Sequence, residues 1–193
     1  MDNNLKSEDR RVRKTKKLMR DALVTLLEQK PLKNISVREI SELADINRGT
    51  FYLHYKDVYD MVDNLRNEIF EKFNSIIIPY DYTSPKETLS SFFVRLFELL
   101  SENADFARVL IGKNGDAEFV EGLKNIIRRR CFNDIYKKLD AESKTKFFYF
   151  YYFIESGCIG ICTQWLTENA KESPEVMANL TEEFILNGLA SIE

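Results

Sequence analysis

The sequence predicts an all-α protein: an N-terminal three-helix head of helix-turn-helix type and a larger helical body, about nine helices in all. Three observations carry this. Charged and apolar residues, 31% and 44% of the chain, interleave at helical spacing almost throughout. Only 7 glycines and 4 prolines occur in 193 residues, few for a β-rich or loop-rich chain. Two short periodic segments separated by a tight turn follow a longer helix, which is the spacing of a helix-turn-helix.

The first helix is expected from about residue 8 to residue 29, with Met19, Leu23 and Leu26 on one face. "QKPLKN" stops it at Pro31. Ser36 is a good N-cap, and Glu39 three residues on completes a capping box. Val37, Ile40, Leu43 and Ala44 make the apolar stripe of the second helix. After the turn "DIN", Asn47 caps a third helix over 47–55, in which the spacing of Phe51 and Tyr55 lets both face the core. Asp57 opens a fourth helix running to about residue 78. "IIIPYDYTSP" ends it. Further helices are expected at 86–101, 103–112, 116–139, 142–170 and 174–191, with "KNG" and "KESP" as the clearest breaks.

Net charge divides the chain in the same place. Residues 1–56 hold 13 Lys+Arg against 8 Asp+Glu, a net of +5, and residues 57–193 hold 15 against 23, a net of −8. The predicted domains are therefore a basic head, 1–56, suited to a polyanion, and an acidic body, 57–193. The run "RRVRKTKKLMR" (residues 10–20) contains seven basic residues and no acid. On a helix Arg10, Arg13 and Lys17, with Arg20, line one side. They form either a solvated face or an arm that grips DNA backbone without choosing sequence.

In a helix-turn-helix the second short helix enters the major groove with its N-terminal half toward base edges. That places Asn47, Arg48, Gly49 and Thr50 at the DNA. Arg48 suits guanine O6/N7 or a phosphate, Gly49 permits close backbone approach, and Thr50 suits a base edge or a thymine methyl. Ser36 and Arg38 open the preceding helix, where hydroxyl and backbone N–H groups can meet a phosphate. Lys56 is a further phosphate candidate.

The body's most unusual segment is "FFYFYYF", seven consecutive aromatics at 147–153. They cover every side of a helix, which implies burial nearly all round. Beyond them run two stripes. Ile154, Cys158, Ile161, Cys162 and Trp165 form one; Phe153, Ser156, Gly157, Gly160 and Gln164 form the other, smoother one. The last helix carries Val176, Leu180 and Phe184 at spacings of four. The two helices either pair with their copies in a two-fold interface, made by Phe153, Gly157, Gly160, Gln164, Leu180 and Phe184, or pack within one monomer. The aromatics Phe92, Phe93, Phe97, Phe106, Phe119, Phe132 and Tyr136 either fill the core or line a pocket for an apolar or aromatic molecule.

The stretch "ISVREISELADINRGTFYLHYKDVYDMV" resembles the DNA-binding domain of the tetracycline-repressor (TetR/AcrR) family of bacterial regulators, over about residues 14–62. "IGICTQWLTENAKESPEVMANLTEEFILNGL" resembles one ligand-domain type of that family, less specifically. The resemblance implies a homodimeric repressor that binds a palindromic double-stranded DNA operator through the 47–55 helix and is released by a small-molecule effector held in the body. It adds Tyr52 and His54 to the DNA-facing set and makes Phe51 and Tyr55 structural. The chain departs from the family pattern at Asp45, in place of the usual turn glycine, and at Asn47, in place of serine. Leu53 and Val58 stand where many members carry polar or basic residues.

Other functions fit less well. The sole histidine, His54, sits in the recognition segment, and no phosphate-cradling glycine loop or metal-ligand cluster is present, which argues against an enzyme, a metal or a cofactor. Cys131, Cys158 and Cys162 are an odd number in apolar helical contexts and read as reduced core thiols. No apolar run is long enough to span a bilayer, and "MDNNLKSEDRR" lacks the apolar core of a secretory signal, so a cytoplasmic protein without membrane partners is expected. The rival reading is a regulator of this fold that acts through a protein partner, for which Leu53 and Val58 leave room.

Overall fold

The computed structural model describes residues 2–77, 85–111 and 116–189. Among these the chain forms ten α-helices with no strand. It divides into two compact units between Glu68 and Ile69.

The first unit contains α1 (Asp2–Gln29), α2 (Val37–Leu43), α3 (Arg48–Tyr52) and the first part of α4 (Val58–Ile76). Met19 and Leu23 of α1, Ile40 of α2, Phe51 of α3 and Met61 of α4 are fully buried. Each such side chain contributes about 1.5–3 kcal/mol of hydrophobic stabilisation. Helix α1 begins well before the expected residue 8. Its opening residues have no apolar face to register as periodicity, yet no glycine or proline interrupts them either. Asp57 opens α4 as expected: its Oδ1 accepts a 2.8 Å hydrogen bond from the Asp60 N–H. Val58 is buried, so its apolar side chain is a core choice.

The second unit contains the rest of α4 and α5 (Pro85–Glu102), α6 (Ala104–Ile111), α7 (Ala117–Ile127), α8 (Asn133–Lys138), α9 (Ala141–Thr167) and α10 (Pro174–Leu189). Its main core joins Phe93 and Phe97 of α5, Ala107 of α6, Cys162, Trp165 and Leu166 of α9, and Met177, Ala178 and Ile185 of α10. The Phe97 and Trp165 rings meet edge-on at 5.2 Å. Two long-range hydrogen bonds tie α6 to α9: Arg108 Nε donates to the Leu166 carbonyl at 2.9 Å, and Thr163 Oγ1 to that of Ile111 at 3.1 Å.

Three expectations change here. The single helix foreseen at 116–139 is interrupted by a π-turn, Arg128–Phe132. A π-turn adds a residue and shifts the phase of the helix beyond it. Phe132 then stacks with Tyr136 at 5.0 Å and with Phe147 at 5.4 Å, a contact that periodicity does not announce. Second, the aromatic run is not buried all round within the chain: Tyr149 is 71% and Phe153 72% exposed. Third, α10 has two apolar faces. Met177, Ala178 and Ile185 are buried, whereas Val176, Leu180 and Phe184 are exposed. Residues 78–84 of the break expected at 76–85, the break at 113–115, the end of the last helix at 190–191, and the Cys131 side chain lie outside the described residues. Cys158 and Cys162 are free thiols, and burial pushes both pKa values up, Cys158 to about 12, so both stay protonated core groups.

Candidate functional site

The head presents α3 through two local devices. Ser36 caps α2 by the full capping box: its side chain accepts from the Glu39 N–H at 3.3 Å, and Glu39 accepts from the Ser36 N–H at 3.0 Å. Glu39 also pairs with the Lys30 ammonium. Lys30 and then the Ser36 groups hold the Glu39 carboxyl down at about 2. The turn that follows needs left-handed backbone at Asp45, φ 51, and an Asp there tolerates it better than most residues. Ile46 N–H then closes the turn onto the Ser41 carbonyl at 3.0 Å. Asn47 caps α3, its Oδ1 accepting from Gly49 N–H at 2.9 Å.

The α3 helix is shorter than the 47–55 foreseen and ends at Tyr52, with Leu53 as its C-cap. Phe51 and Tyr55 are buried, 5.7 Å apart, and fix the helix to the head. Asn47, Arg48, Gly49, Tyr52 and Lys56 are exposed, and Thr50 and His54 are half-buried. His54 has its pKa lowered, first by burial and then by Lys16, so it faces neutral water as uncharged imidazole. Arg10, Arg13 and Lys17 are exposed on α1. Lys16 lies on a neighbouring face, its ammonium 5.9 Å from the Tyr55 ring centroid. Ser36 and Arg38 are exposed but already engaged, Ser36 in the cap and Arg38 Nε with Glu42 at 2.7 Å.

Gly49 is informative because the fold does not need it. A Cβ there would meet only Asn47 Oδ1, at 3.5 Å, an ordinary contact. Leu53 is 81% exposed, an apolar side chain with no core to serve.

The second unit holds a cavity of about 270 Å³. Of the body aromatics singled out in the sequence, Phe92, Phe93, Phe119 and Phe132 line it, joined by Phe147, Phe150 and Tyr151 from the aromatic run. Phe97 and Phe106 are buried outside its wall. Sequence reasoning missed its polar end. Glu155, buried on α9, accepts a 2.9 Å hydrogen bond from the Tyr151 hydroxyl and lies 3.7 Å from Lys124 Nζ and 3.9 Å from Arg128 Nη2. The available signal was one acid inside a long apolar run, "FFYFYYFIESGCIGIC".

Residues 87–187 match a TetR-type family described as the transcriptional regulator C-terminal region. The chain belongs to the TetR/AcrR family of transcriptional regulators. Solved structures agree at the level of the fold. The dihydroxyacetone kinase operon activator DhaS superposes with TM-score 0.60 at 17% identity, covering 93% of this chain and 98% of that one. The fatty acid degradation regulator FadR from Bacillus halodurans gives 0.61 at 18%, covering 91% and 96%. FadR from Bacillus subtilis, in complex with stearoyl-CoA, gives 0.56 at 20%, covering 89% and 97%. Among curated proteins, the uncharacterised HTH-type transcriptional regulator YxbF of Bacillus subtilis (strain 168) is 28% identical over 71 residues, 37% of this chain but only 18% of that protein's length.

Within this TetR-family chain, the head therefore brings Asn47, Arg48, Gly49, Thr50, Tyr52, His54 and Lys56 onto one short segment. Ser36 and Arg38 open the neighbouring helix, and Arg10, Arg13 and Lys17 sit on α1. Phe153, Gly157, Gly160 and Gln164 are exposed on α9, and Leu180 and Phe184 on α10. Among the described residues no group of His, Cys, Asp or Glu is arranged to hold a metal ion, and no helix is long and apolar enough to cross a membrane.

Proposed function

We propose that the chain is a homodimeric transcriptional repressor that binds a palindromic operator through α3 and is released by a small apolar or aromatic effector. The observation that carries the DNA reading is Gly49. A glycine at the start of an exposed, Asn47-capped helix leaves room that the chain itself does not use. Room of that kind suits a base-pair edge, with Arg48 and Thr50 beside it. Tyr52, His54 and Lys56 extend the contact, Ser36 and Arg38 supply backbone-positioning groups, and Arg10, Arg13 and Lys17 form the arm. The protein would work in the cytoplasm, without membrane or metal and without catalysis.

The dimer reading rests on two apolar helix faces that the described residues leave uncovered. Phe153 is flanked on α9 by Gly157 and Gly160, where an added Cβ meets nothing within 4 Å. Leu180 and Phe184 face outward from α10. Two copies joined about a two-fold axis would cover both. The effector reading rests on the body cavity and on α4, whose later residues Ile69 and Phe73 line it and whose earlier residues Val58 and Met61 are buried in the head. DhaS is described as an activator and FadR of Bacillus subtilis as a complex with stearoyl-CoA, so operon activation and ligand capture both occur on this fold. A second reading, action through a protein partner, draws on exposed Leu53. A gel shift on the DNA upstream of the chain's own gene separates the two: a specific shift by the dimer supports the operator reading, and none at low salt supports the partner.

A further inference from the structure

The polar end of the body cavity has a charge balance that restricts what can enter. The lining is apolar and aromatic except for Tyr151, Lys124 and Glu155. The Glu155 side chain is only 3% exposed. A carboxylate offers about four acceptor positions. Glu155 fills one with a described partner, the Tyr151 hydroxyl at 2.9 Å. Lys124 and Arg128 approach at 3.7 and 3.9 Å, beyond the 2.7–3.2 Å of an N–H···O hydrogen bond. They neutralise the carboxylate without hydrogen-bonding to it. Arg128 is shared with Glu121 at 3.8 Å. Two cations and two anions therefore already balance.

We propose that this cavity selects an uncharged, mainly apolar molecule carrying one hydroxyl, which donates to Glu155 and accepts from Lys124. The inference rests on the reading of the body as the effector-binding half, and it names the chemistry of that effector. A hydroxyl both donates and accepts, so it bridges a carboxylate and an ammonium that stop short of each other. A charged head group in the same place would leave one charge unbalanced in a low-dielectric pocket, which is costly. An anion would also meet Glu155, and a cation Lys124. The volume, just below the usual 300–1,000 Å³ of ligand pockets, suits a small molecule.

The test uses the purified full chain and four compounds on one skeleton: 3-phenyl-1-propanol, 3-phenylpropanoate, 3-phenylpropylamine and propylbenzene. Binding is followed by calorimetry and by the shift in Tm. The alcohol is expected to bind most tightly, by at least about tenfold over either charged compound and measurably over propylbenzene. In Glu155→Gln, which keeps an acceptor but removes the negative charge, the preference is expected to move to the carboxylate. In Lys124→Met it is expected to move to the amine. Circular dichroism of each variant reports its fold, and the wild-type series stands without them. Propylbenzene binding as tightly as the alcohol, or a charged compound binding more tightly in the wild type, would overturn the inference and leave the apolar-effector reading standing. If none of the four, propylbenzene included, binds or shifts Tm, both fail.

Discussion

The side chain of Asn47 accepts a 2.9 Å hydrogen bond from the backbone N–H of Gly49. The same pair therefore starts α3 and holds the space beside it open. A Cβ on residue 49 would lie 3.5 Å from that Asn47 oxygen, a tolerable contact. Gly49→Ala should therefore fold with an unchanged or slightly raised Tm but bind operator DNA more weakly. Asn47→Ala should lower head stability by about 1 kcal/mol through loss of the cap. Thermal unfolding and a DNA-binding titration on the same samples separate the two effects.

The arm makes a salt-dependent prediction. Arg10, Arg13 and Lys17 are exposed on α1. If each meets a phosphate, replacing it by Ala lowers the slope of log K against log salt by about 0.9 for each phosphate no longer neutralised, on specific and non-specific DNA alike. Titrations at several salt concentrations measure this. A slope unchanged in the triple variant assigns these residues to a solvated face.

The exposed faces of α9 and α10 predict the oligomeric state. A Cβ added at Gly157 or Gly160 meets nothing within 4 Å among the described residues. Gly160→Leu should thus leave the helix content intact while pushing apart a partner helix packed there. Phe184→Glu should act in the same direction by placing a charge in the interface. Analytical ultracentrifugation is expected to find a wild-type dimer and largely monomeric variants.

The end of α9 carries backbone strain that a single substitution tests. Asn169 and Ala170 have φ of 63 and 48. Asparagine tolerates left-handed backbone, whereas alanine is strained there by about 1–2 kcal/mol. The Ala170 N–H nonetheless donates to the Trp165 carbonyl at 2.9 Å, and Trp165 Nε1 donates to that of Glu172 at 3.1 Å. Ala170→Gly relieves the strain and keeps the turn. After the entropy cost of glycine in the unfolded chain, it should stabilise the protein by up to about 1 kcal/mol, read as a rise in Tm.

What was legible in the sequence was local. The Ser36–Glu39 box and the Asn47 cap are decided within three residues, and both formed as read. The core positions Met19, Leu23, Ile40, Phe51 and Tyr55 followed from spacing alone. Non-local features were hidden. The Glu155 cluster joins α9 to α7 and the π-turn, and no pattern along the chain links Lys124 to Glu155. The π-turn itself has ordinary helix-forming residues, so its extra residue leaves no trace in composition. The aromatic run leaves its covering neighbours unnamed for a related reason. Periodicity says how many sides of a helix are apolar, while the neighbours available within one chain decide which are covered, and Tyr149 and Phe153 are not.

The central claim is that α3 reads DNA through Arg48 and Thr50. Fluorescence anisotropy with the labelled segment upstream of the chain's own gene, against a scrambled control, tests it most directly. Wild-type dimer should bind specifically, and Arg48→Ala and Thr50→Ala should each weaken that binding by about 1–3 kcal/mol while remaining dimeric. Dimeric wild type that shows no preference for the segment at low salt, or variants that bind it as tightly as wild type, would contradict the account.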